Sequence, residues 1–569
     1  MGIAGPCIHT GRFRIGWSVA ARSARRGSIC ATRLAWRLVR TGASHRQKRP
    51  LTDAVCNCFP TASKMIDQPM AEGVGVYFED HKESKDLGRL ALRGGTVSVA
   101  MQYGNGILQI AAAVVLARLL APEDFGLVAI VTVLTSFAPL LIDFGLGDAT
   151  TQRNKITQSQ VSSLFWLSSG IGLTIAVFVV ACGPLIAWTY REPRLEAIAM
   201  YSAIAFVLFG ASNQHLALLR RAMQFAAIAK IVILSNLAGV AVSIVLAICG
   251  YGYWALVLRP IVSSLCIAIG AWLVCGWRPG FPVVDNEVKS MVRFGLHVVG
   301  FSTTYSVARA VDRIALGLFY RPDQVGYYQN AITLYDNSIF SALMQLHTVG
   351  SAALSKLQCD PAALRQKYEA ALSTLAFFVM PTAAILSVTA EDVTVMLLGE
   401  KWRAAGLLLS IIALRGIFQA VEGSQGWLHL SLGRADRWRN WGIVSLAAQV
   451  VATLAGLPFG ATGVAVAVVM TSLFLAVPSI SYAGRPVGIG AALVIRTVGR
   501  QLIGAISAAA GGWWLQTTAL SDYSGFFRIC VSTGFCISIY LIIVVCLFRL
   551  AEPIKVAATV ARDQLWRTR

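Results

Sequence analysis

A chain of 569 residues with 56% hydrophobic and only 14% charged residues differs from soluble domains, in which about 25% of residues are charged. Its mean hydropathy is +0.63, and its formal net charge is +21, from 49 Lys and Arg against 28 Asp and Glu. These values exclude a soluble globular protein. Because one membrane span takes about 20 apolar residues, the length predicts an all-α polytopic membrane protein.

The first 50 residues contain ten Arg, one Lys and no acidic residue. Arg-rich leaders without acids are typical of transit peptides, but this stretch has no uninterrupted apolar core of the signal-peptide type. We interpret residues 1–85 as a disordered basic tail, or as sequence upstream of a later start at Met65 or Met70. Much of the net charge then carries no information about transport. The scattered cysteines predict neither a metal site nor a disulfide framework, and no cofactor is predicted.

Hydropathy divides the rest of the chain into 14 predicted spans, arranged as six, six and two. The predicted spans are 95–119, 125–147, 161–187, 197–219, 228–250, 253–275, 294–319, 325–353, 369–390, 404–430, 440–458, 460–482, 499–519 and 526–548. We assign residues 86–280 to a first lobe, 281–484 to a second lobe, 485–550 to an extra helix pair and 551–569 to a cytoplasmic tail.

The two lobes share one stretch of sequence. Residues 116–134, LARLLAPEDFGLVAIVTVL, align without a gap with residues 316–334, LGLFYRPDQVGYYQNAITL. Four residues match: Leu116, Pro122, Gly126 and Leu134 fall on Leu316, Pro322, Gly326 and Leu334. In both copies an apolar helix enters a Pro-acid-x-x-Gly turn, where the fixed φ of proline and the freedom of glycine favour a tight reversal. We therefore predict two pseudo-symmetric lobes that each open with a helical hairpin.

Basic residues in the loops fall mainly on one side of the predicted membrane. The loops near residues 153–155, 220–230, 278–293, 434–439 and 485–500 lie on this side, whereas the opposite loops mostly combine a few Arg or Lys with an acid. Loops rich in Lys and Arg face the cytosol. We therefore predict a multi-pass protein of the inner (plasma) membrane with both termini in the cytoplasm.

Four motifs carry a resemblance to a known family. The run APEDFGLVAIVTVLTSFAPLLIDFGLGDATTQ at residues 121–152 is similar to the first-lobe signature of Wzx-type polysaccharide or O-antigen repeat-unit flippases, in the multidrug/oligosaccharidyl-lipid/polysaccharide (MOP) exporter superfamily. YRPDQVGYYQNA (320–331), ALLRRAMQF (217–225) and LSLGRADR (430–437) also resemble that family. The resemblance covers about residues 88–548, and the long N-terminal tail departs from it.

This resemblance implies a V-shaped transporter fold of the MOP and MATE type, in which two six-helix lobes surround a central cavity. It also implies a substrate, an undecaprenyl-diphosphate-linked oligosaccharide that is turned from the inner to the outer leaflet.

The first and seventh predicted spans each carry a polar stripe. Gln102, Asn105 and Gln109 follow one another at steps of three and four residues, which places them on one helix face. The corresponding face of the seventh span carries Ser302, Tyr305, Arg309, Asp312 and Arg313. We expect the two stripes to face one another across the lobe interface and to line one water-accessible cavity.

Charged residues inside a membrane cost about 3 kcal/mol each on insertion scales, so Arg309, Asp312 and Arg313 are candidates for function. An i,i+3 pair of Arg309 with Asp312 leaves Arg313 as an unmatched cation. A diphosphate would supply the missing negative charge, and guanidinium groups match its oxygens geometrically. The alternative is an ion pair with Asp336 or Glu422 that only locks the lobe.

The tenth span carries a second polar stripe, consisting of Arg415, Gln419, Glu422, Gly426 and His429. Arg415 is a further candidate contact for the sugar or the diphosphate. Glu422 either pairs with Arg415, which we favour, or carries a coupling proton, a role for which Asp336 is also a candidate. Arg259 precedes Pro260 in the sixth span and either lines the cavity or snorkels to an interface.

Together these features predict translocation of a polyprenyl-diphosphate-linked oligosaccharide repeat unit for exopolysaccharide or lipopolysaccharide synthesis. The alternatives are a lipid II flippase for peptidoglycan and a cation-coupled multidrug antiporter, which would favour acids in the cavity. The sequence contains no Walker loop, His-rich cluster or nucleophile elbow, so no enzyme activity is predicted. Expected partners are the lipid-linked glycan, membrane lipids and a polysaccharide polymerase with its co-polymerase, but no nucleic acid.

Overall fold

The structure is a computed structural model. It describes residues 77–78, 87–143, 145–153, 155–283, 306–341, 343–344, 360–523 and 525–550, with the single positions 350, 354, 357 and 552. Regular structure in these ranges is helical, and ten helical stretches are long and apolar enough to cross a membrane. The predicted all-α polytopic fold is thus confirmed. Ser302, Tyr305 and most of both predicted tails lie outside the described residues.

The helices are numbered in chain order, and each overlaps one predicted span. They are α1 Leu87–Leu119, α2 Pro122–Thr135, α3 Gln158–Tyr190, α4 Arg194–Arg221, α5 Phe225–Ile248, α6 Trp254–Cys275, α7 Val311–Phe319, α8 Pro322–Tyr335, α9 Pro361–Leu398, α10 Arg403–Gly423, α11 Ala435–Gly456, α12 Gly460–Gly484, α13 Ala491–Thr518 and α14 Phe526–Leu541. Four helices continue in short segments: α2 as Ala138–Asp143 and Leu146–Gln152, α8 as the π-helical turn Asp336–Phe340, α10 as Gln425–Ser431, and α14 as the π-helical Ile542–Leu547.

Local sequence fixes several helix starts. Thr157 and Gln160 form a reciprocal capping box at the start of α3, with N–H to side-chain oxygen distances of 3.1 and 3.3 Å. Asp360 accepts hydrogen bonds from the N–H groups of Ala362 and Ala363 at the start of α9. These side chains satisfy backbone donors that a helix N-terminus leaves free.

The helices pack as two bundles, an N-bundle of α1–α6 and a C-bundle of α7–α12. In the N-bundle α3 packs on α4 and α5 on α6, and in the C-bundle α9 packs on α10 and α10 on α12. Helices α13 and α14 pack on α9. The main contact between the bundles is made by α2 with α8, the two helices that begin with the repeated turn.

A proline in α9 explains how α14 docks on the C-bundle. Pro381 has no N–H to donate to the carbonyl of Phe377 one turn earlier. The hydroxyl of Tyr540 in α14 donates to this carbonyl at 3.0 Å. Arg528 of α14 also forms an ion pair with Asp392 of α9 at 3.3 Å. The extra helix pair is therefore anchored through a polar contact that the α9 proline makes available.

The two repeated turns meet at one end of the bundles, which we call the turn end. A Cβ atom on Gly126 would overlap the backbone carbonyl of Pro322, and a Cβ atom on Gly326 would overlap that of Pro122. Only glycine allows this close approach. Each copy of the duplicated turn therefore uses its glycine to receive the proline carbonyl of the other copy.

Two cations join the bundles at the turn end. Arg118, near the C-terminus of α1, donates to the carbonyls of Met396 and Leu397 at 2.6 and 3.0 Å. Lys401 donates in return to the carbonyls of Arg118 and Leu120 at 3.0 and 2.5 Å. Because helix C-termini carry free carbonyls and partial negative charge, each cation caps the terminal helix turn of the other bundle.

An aromatic cluster fills the space between these cations. Trp402 is fully buried, and its indole N–H donates to the carbonyl of Ala117 at 2.8 Å. Its ring makes edge contacts with Phe125 of α2 and Tyr327 of α8, at centroid distances of 5.1 and 5.9 Å. The turn end is closed in this conformation.

Outside the spans, Arg194 donates hydrogen bonds to the carboxylate of Glu192. These hydrogen bonds lower the pKa of Glu192, so this carboxylate stays ionised.

A short segment before α1 packs on the other end of the N-bundle. Tyr77 is buried, and its carbonyl accepts a hydrogen bond from Arg221 at 3.0 Å. Arg221 also donates to the carbonyl of Thr150 at 3.2 Å. The predicted tail of residues 1–85 therefore contains a packed segment. Arg221, the second arginine of the ALLRRAMQF motif, hydrogen-bonds this segment to the N-bundle.

We expect Gly126→Ala and Gly326→Ala to weaken the contact between the bundles, because the added methyl group would overlap a backbone carbonyl. Overpacking of this kind costs about 1–3 kcal/mol. Thermal unfolding of the purified protein in detergent should show a lower midpoint for both variants. Gly170→Ala is the control, because nothing lies within 4 Å of the position of its added Cβ. Equal midpoints for all four proteins would contradict the contact.

Candidate functional site

A cavity of about 520 Å³ lies between the two bundles, beneath the turn end. Residues of α1, α2, α5 and α6 form one wall, and residues of α8 form the other. The polar lining residues are Gln109, Thr132, Asn236, Arg259, Ser263, Ser264, Gln329, Asn330 and Thr333. A cavity walled by amides, hydroxyls and a guanidinium inside an apolar protein is suited to a polar ligand.

The N-bundle wall presents two hydrogen-bonded pairs. Arg259 of α6 donates to the side-chain carbonyl of Gln109 on α1. One helical turn away, Asn236 of α5 donates to the side-chain carbonyl of Asn105 at 2.8 Å. Both α1 residues belong to the predicted polar stripe. The same pairs hold α1 against α5 and α6, and three of their members, Gln109, Asn236 and Arg259, line the cavity.

Two backbone features place Arg259 at the cavity. Gly239 of α5 lies so close to α6 that an added Cβ would be 2.8 Å from the carbonyl oxygen of Arg259. Pro260, which has no N–H, leaves the carbonyl of Leu256 without its usual helical donor, and Leu256 lines the cavity. The N-bundle wall therefore presents the guanidinium of Arg259 and, about one helical turn away, the carbonyl of Leu256 as a hydrogen-bond acceptor.

The cavity is electrically unbalanced. Arg259 is the charged residue among its lining residues, which include no Asp or Glu within the described part of the chain. Its only polar partner found there is the neutral side chain of Gln109. Arg259 is half-buried, and a partly desolvated cation without an acid partner favours an anionic ligand, because the ligand replaces the solvation that the charge has lost.

The predicted arginines of the seventh span lie elsewhere, in a polar cluster inside the C-bundle. Arg309 forms an ion pair with Asp336 at 2.7 Å, and Arg313 lies 3.7 Å from Asp312. Asp312 is buried and also accepts a hydrogen bond from the hydroxyl of Tyr328 at 2.8 Å. This cluster encloses only about 20 Å³, room for about one water molecule.

The tenth-span candidates join the same cluster from α10. Arg415 lines the small cavity and donates to the hydroxyl of Ser472 in α12 at 3.2 Å. Glu422 faces Arg415 and Ser472. Three arginines and three acids thus share the interior of the C-bundle. They are Arg309, Arg313, Arg415, Asp312, Asp336 and Glu422.

The expected pairing of two facing stripes therefore differs from the observed arrangement. The α1 stripe reaches the inter-bundle cavity through Gln109, but the opposite wall comes from α8 and not from α7. The arginines of α7 are turned into their own bundle, where acids are available, because an unpaired buried charge is costly. Gln102 is exposed on α1 and is not a cavity residue.

Sequence reasoning missed the α8 wall, which consists of Gln329, Asn330 and Thr333. All three lie in the duplicated stretch, three, four and seven residues after the turn glycine Gly326, and are polar residues in a predicted apolar span. That excess of polar residues was an available signal. Asn236 gave a weaker signal in the sequence, because it is the single amide of a mostly apolar helix.

These features define a class of protein. Two helical bundles around a polar cavity in a polytopic membrane protein are the fold of MOP-type transporters. The lipid II flippase MurJ in an inward closed conformation has the same fold, with a TM-score of 0.64 and 13% identity over 80% of this chain and 99% of MurJ. At this identity the likeness concerns the fold alone. The predicted MOP-type fold is confirmed.

The profile of a family described as "Polysaccharide biosynthesis protein" matches residues 115–406, about half of the chain. The chain belongs to this family, as its resemblance predicted.

Three relatives are similar to it. They are the lipopolysaccharide biosynthesis protein WzxC of Escherichia coli strain K12, with 25% identity over 60% of this chain and 69% of WzxC; the teichuronic acid biosynthesis protein TuaB of Bacillus subtilis strain 168, with 26% over 54% and 64%; and the succinoglycan biosynthesis transport protein ExoT of Rhizobium meliloti strain 1021, with 23% over 64% and 73%. The chain thus spans about two thirds of the length of these relatives.

We expect Asp312→Asn to destabilise the C-bundle, because it leaves Arg313 beside a neutral amide in a buried cluster. Removing one partner of a buried pair costs about 3–5 kcal/mol. The measurement is thermal unfolding in detergent. Asp323→Asn serves as the control, since the Arg321–Asp323 pair is exposed and such pairs contribute about 0–1 kcal/mol. If both variants unfold at the same temperature, the cluster does not stabilise the bundle.

Proposed function

We propose that this protein translocates a polyprenyl-diphosphate-linked oligosaccharide repeat unit across the inner membrane, for the synthesis of an exopolysaccharide or lipopolysaccharide. The observation that carries the proposal is the inter-bundle cavity, which holds Arg259 among neutral polar side chains. Membership of the polysaccharide biosynthesis family supports the glycan part of the substrate. A lipid-linked substrate fits a site inside the bilayer, because its tail can remain in the surrounding lipid.

The chemistry of the cavity matches the two polar parts of such a substrate. The guanidinium of Arg259 can hold diphosphate oxygens through paired N–H donors. Sugar hydroxyls both donate and accept hydrogen bonds, and the side chains of Gln109, Asn236, Gln329 and Asn330 provide amides that do the same. The substrate-binding assignment of Gln109, Asn105 and Arg259 is retained in this proposal.

The position of Arg259 suggests when the head group crosses the membrane. Arg259 is five residues into α6, and Gln329 is seven residues into α8, so both lie about 8–10 Å from the turn end at a rise of 1.5 Å per residue. A hydrocarbon core is about 30 Å thick. A diphosphate bound there has already passed the midplane while the turn end is closed. Opening of the turn end would then release it.

The C-bundle cluster takes a second role in the proposal. Arg309, Arg313 and Arg415 have polar or acidic partners of their own, so they are proposed as later contacts for the diphosphate, reached after these partners rearrange. Asp336 is the preferred site for ion coupling, because protonation of its carboxylate would release Arg309. Glu422 remains the second candidate.

The orientation in the membrane is part of the same proposal. Basic residues are concentrated at the end away from the turns, including Arg220, Arg221, Arg434, Arg437 and Arg485. The positive-inside rule places that end in the cytoplasm. The lipid-linked glycan would then enter from the cytoplasmic leaflet and leave at the turn end. A polymerase with its co-polymerase would receive it, and the protein itself carries out no covalent chemistry.

The two alternatives predict different ligands. A lipid II flippase would use the same diphosphate site, so the saccharide decides between them. A cation-coupled drug antiporter calls for acids around its cationic substrates, whereas the cavity lining within the described ranges carries a guanidinium instead. We therefore favour a lipid diphosphate over a drug cation.

We expect Arg259→Ala to weaken binding of undecaprenyl diphosphate by about 10- to 100-fold, since hydrogen bonds to a charged group contribute about 1.5–3 kcal/mol. Binding is measured on purified protein in detergent. Undecaprenol, which lacks the diphosphate, should bind both proteins equally weakly. Reconstituted vesicles carrying an undecaprenyl-diphosphate oligosaccharide should show a matching loss of flipping.

Arg365→Ala is the control for lost positive charge, because Arg365 forms an exposed pair with Glu369, away from the cavity. It should bind and flip as the wild type does. Equal binding of undecaprenyl diphosphate by wild type and Arg259→Ala would remove Arg259 from the site. Failure of the wild type to flip the lipid-linked oligosaccharide would overturn the proposed function.

A further inference from the structure

Helices α7 and α8 are both irregular at the same level of the C-bundle. Residues 306–308 are helical, Arg309 and Ala310 form a turn, and the helix resumes at Val311. In α8 the π-helical turn Asp336–Phe340 interrupts the regular pattern. The ion pair of Arg309 with Asp336 connects the two irregular points. Departures of this kind in long helices often mark functional hinges.

The side chain of Arg313 stabilises the break in α7. In a continuous helix the N–H of residue 313 would donate to the carbonyl of residue 309. Here that N–H donates to the carboxylate of Asp312 at 2.8 Å. One terminal nitrogen of the Arg313 guanidinium donates to the carbonyl of Arg309 instead, at 2.5 Å. The guanidinium thus supplies a hydrogen bond that the broken backbone does not make.

The other end of the same guanidinium contacts a residue that lines the inter-bundle cavity. Its second terminal nitrogen donates to the side-chain carbonyl of Gln329 at 3.2 Å. Gln329 lines the cavity that contains Arg259, and its amide N–H donates to the hydroxyl of Thr333 at 3.2 Å. Gln329 is therefore the contact between the cavity and the donor that holds the break in α7.

Arg313 also has capacity for another acceptor. Its Nε atom is buried and has no hydrogen-bond partner among the described residues, and the nearest carboxylate oxygen, on Asp312, is 3.7 Å away. A buried donor without an acceptor is unfavourable, because it has lost its hydrogen bond to water. An anion next to Gln329 would therefore draw this guanidinium toward the cavity.

We propose that Gln329 is a positioning residue that couples occupancy of the cavity to the shape of α7. This inference rests on the proposed function. A diphosphate held by Arg259 accepts the amide N–H of Gln329 and attracts the guanidinium of Arg313. As that guanidinium turns to the ligand, the carbonyl of Arg309 becomes free to accept the backbone N–H of Arg313, and the helix closes across the break.

The test compares binding, turnover and the exchange of backbone hydrogens in the wild type and Gln329→Leu. In the wild type, undecaprenyl diphosphate should slow amide hydrogen exchange in the peptide covering residues 306–319, because a closed helix protects its N–H groups. In Gln329→Leu we expect this slowing to disappear. The variant loses one contact to the diphosphate but keeps Arg259, so its loss of affinity for undecaprenyl diphosphate should be smaller than that of Arg259→Ala, while its flipping rate at saturation falls by about tenfold or more.

Thr382→Val is the control. Thr382 is exposed on α9, does not line the cavity, and donates its hydroxyl to the carbonyl of Phe378 in its own helix at 2.8 Å, so this variant replaces a polar side chain without touching the cavity or the link to α7. It should keep the ligand-dependent protection of residues 306–319 and the wild-type flipping rate.

Four results would overturn the inference. Ligand-dependent protection that persists in Gln329→Leu would mean that α7 responds without this residue. A loss of affinity equal to that of Arg259→Ala, with turnover at saturation unchanged, would make Gln329 an ordinary binding contact. A wild type that binds the ligand but shows no change in α7 would remove the coupling and leave the proposed function intact. Absence of binding by the wild type would overturn both.

Discussion

The contact on which this structure depends is the mutual approach of the two repeated turns, where each glycine lies against a proline carbonyl of the other copy. It brings α2 and α8 together as the central pair of the bundle interface. The polar residues that follow the second glycine are then carried into the cavity beneath the turns. A side chain at either glycine would separate the helices. The cations Arg118 and Lys401 and the buried Trp402 add to this contact but do not create it.

Electrostatics divides the polar interior into two parts with different properties. The C-bundle cluster gives its cations internal partners, through acids, hydroxyls and a backbone carbonyl, and leaves the Nε of Arg313 without an acceptor among the described residues, so it can largely stabilise the bundle without a ligand. The inter-bundle cavity has a guanidinium whose described partner is a neutral amide. The C-bundle cluster combines cations with acids, whereas the inter-bundle cavity favours an anionic ligand. Gln329 lies where the two parts meet, which is why one residue can influence both.

Irregular backbone serves several purposes in this fold. The carbonyl freed by Pro381 receives Tyr540 and docks the extra helix pair, whereas the carbonyl freed by Pro260 belongs to a cavity residue. The break in α7 is held by a side chain, and the π-helical turn in α8 carries the acid that pairs with Arg309. Inside a membrane such departures are tolerated only where other groups satisfy the backbone. Each therefore marks a place where a tertiary contact or a ligand completes the helix.

The sequence by itself determined the class, the span pattern, the duplication and the family resemblance, because hydropathy and turn chemistry are local properties of the chain. It also identified Gln109, Asn105 and Arg259 as polar residues of apolar spans. Only the tertiary structure decided which bundle each charge faces: Arg309 pairs with Asp336 across α7 and α8, and α8 supplies the second cavity wall. Helical spacing fixes which residues share a face, but the rotation of that face toward a partner bundle or its own core follows from packing. Acidic residues and close-packed glycines that are distant in the sequence determine which way the helix face turns.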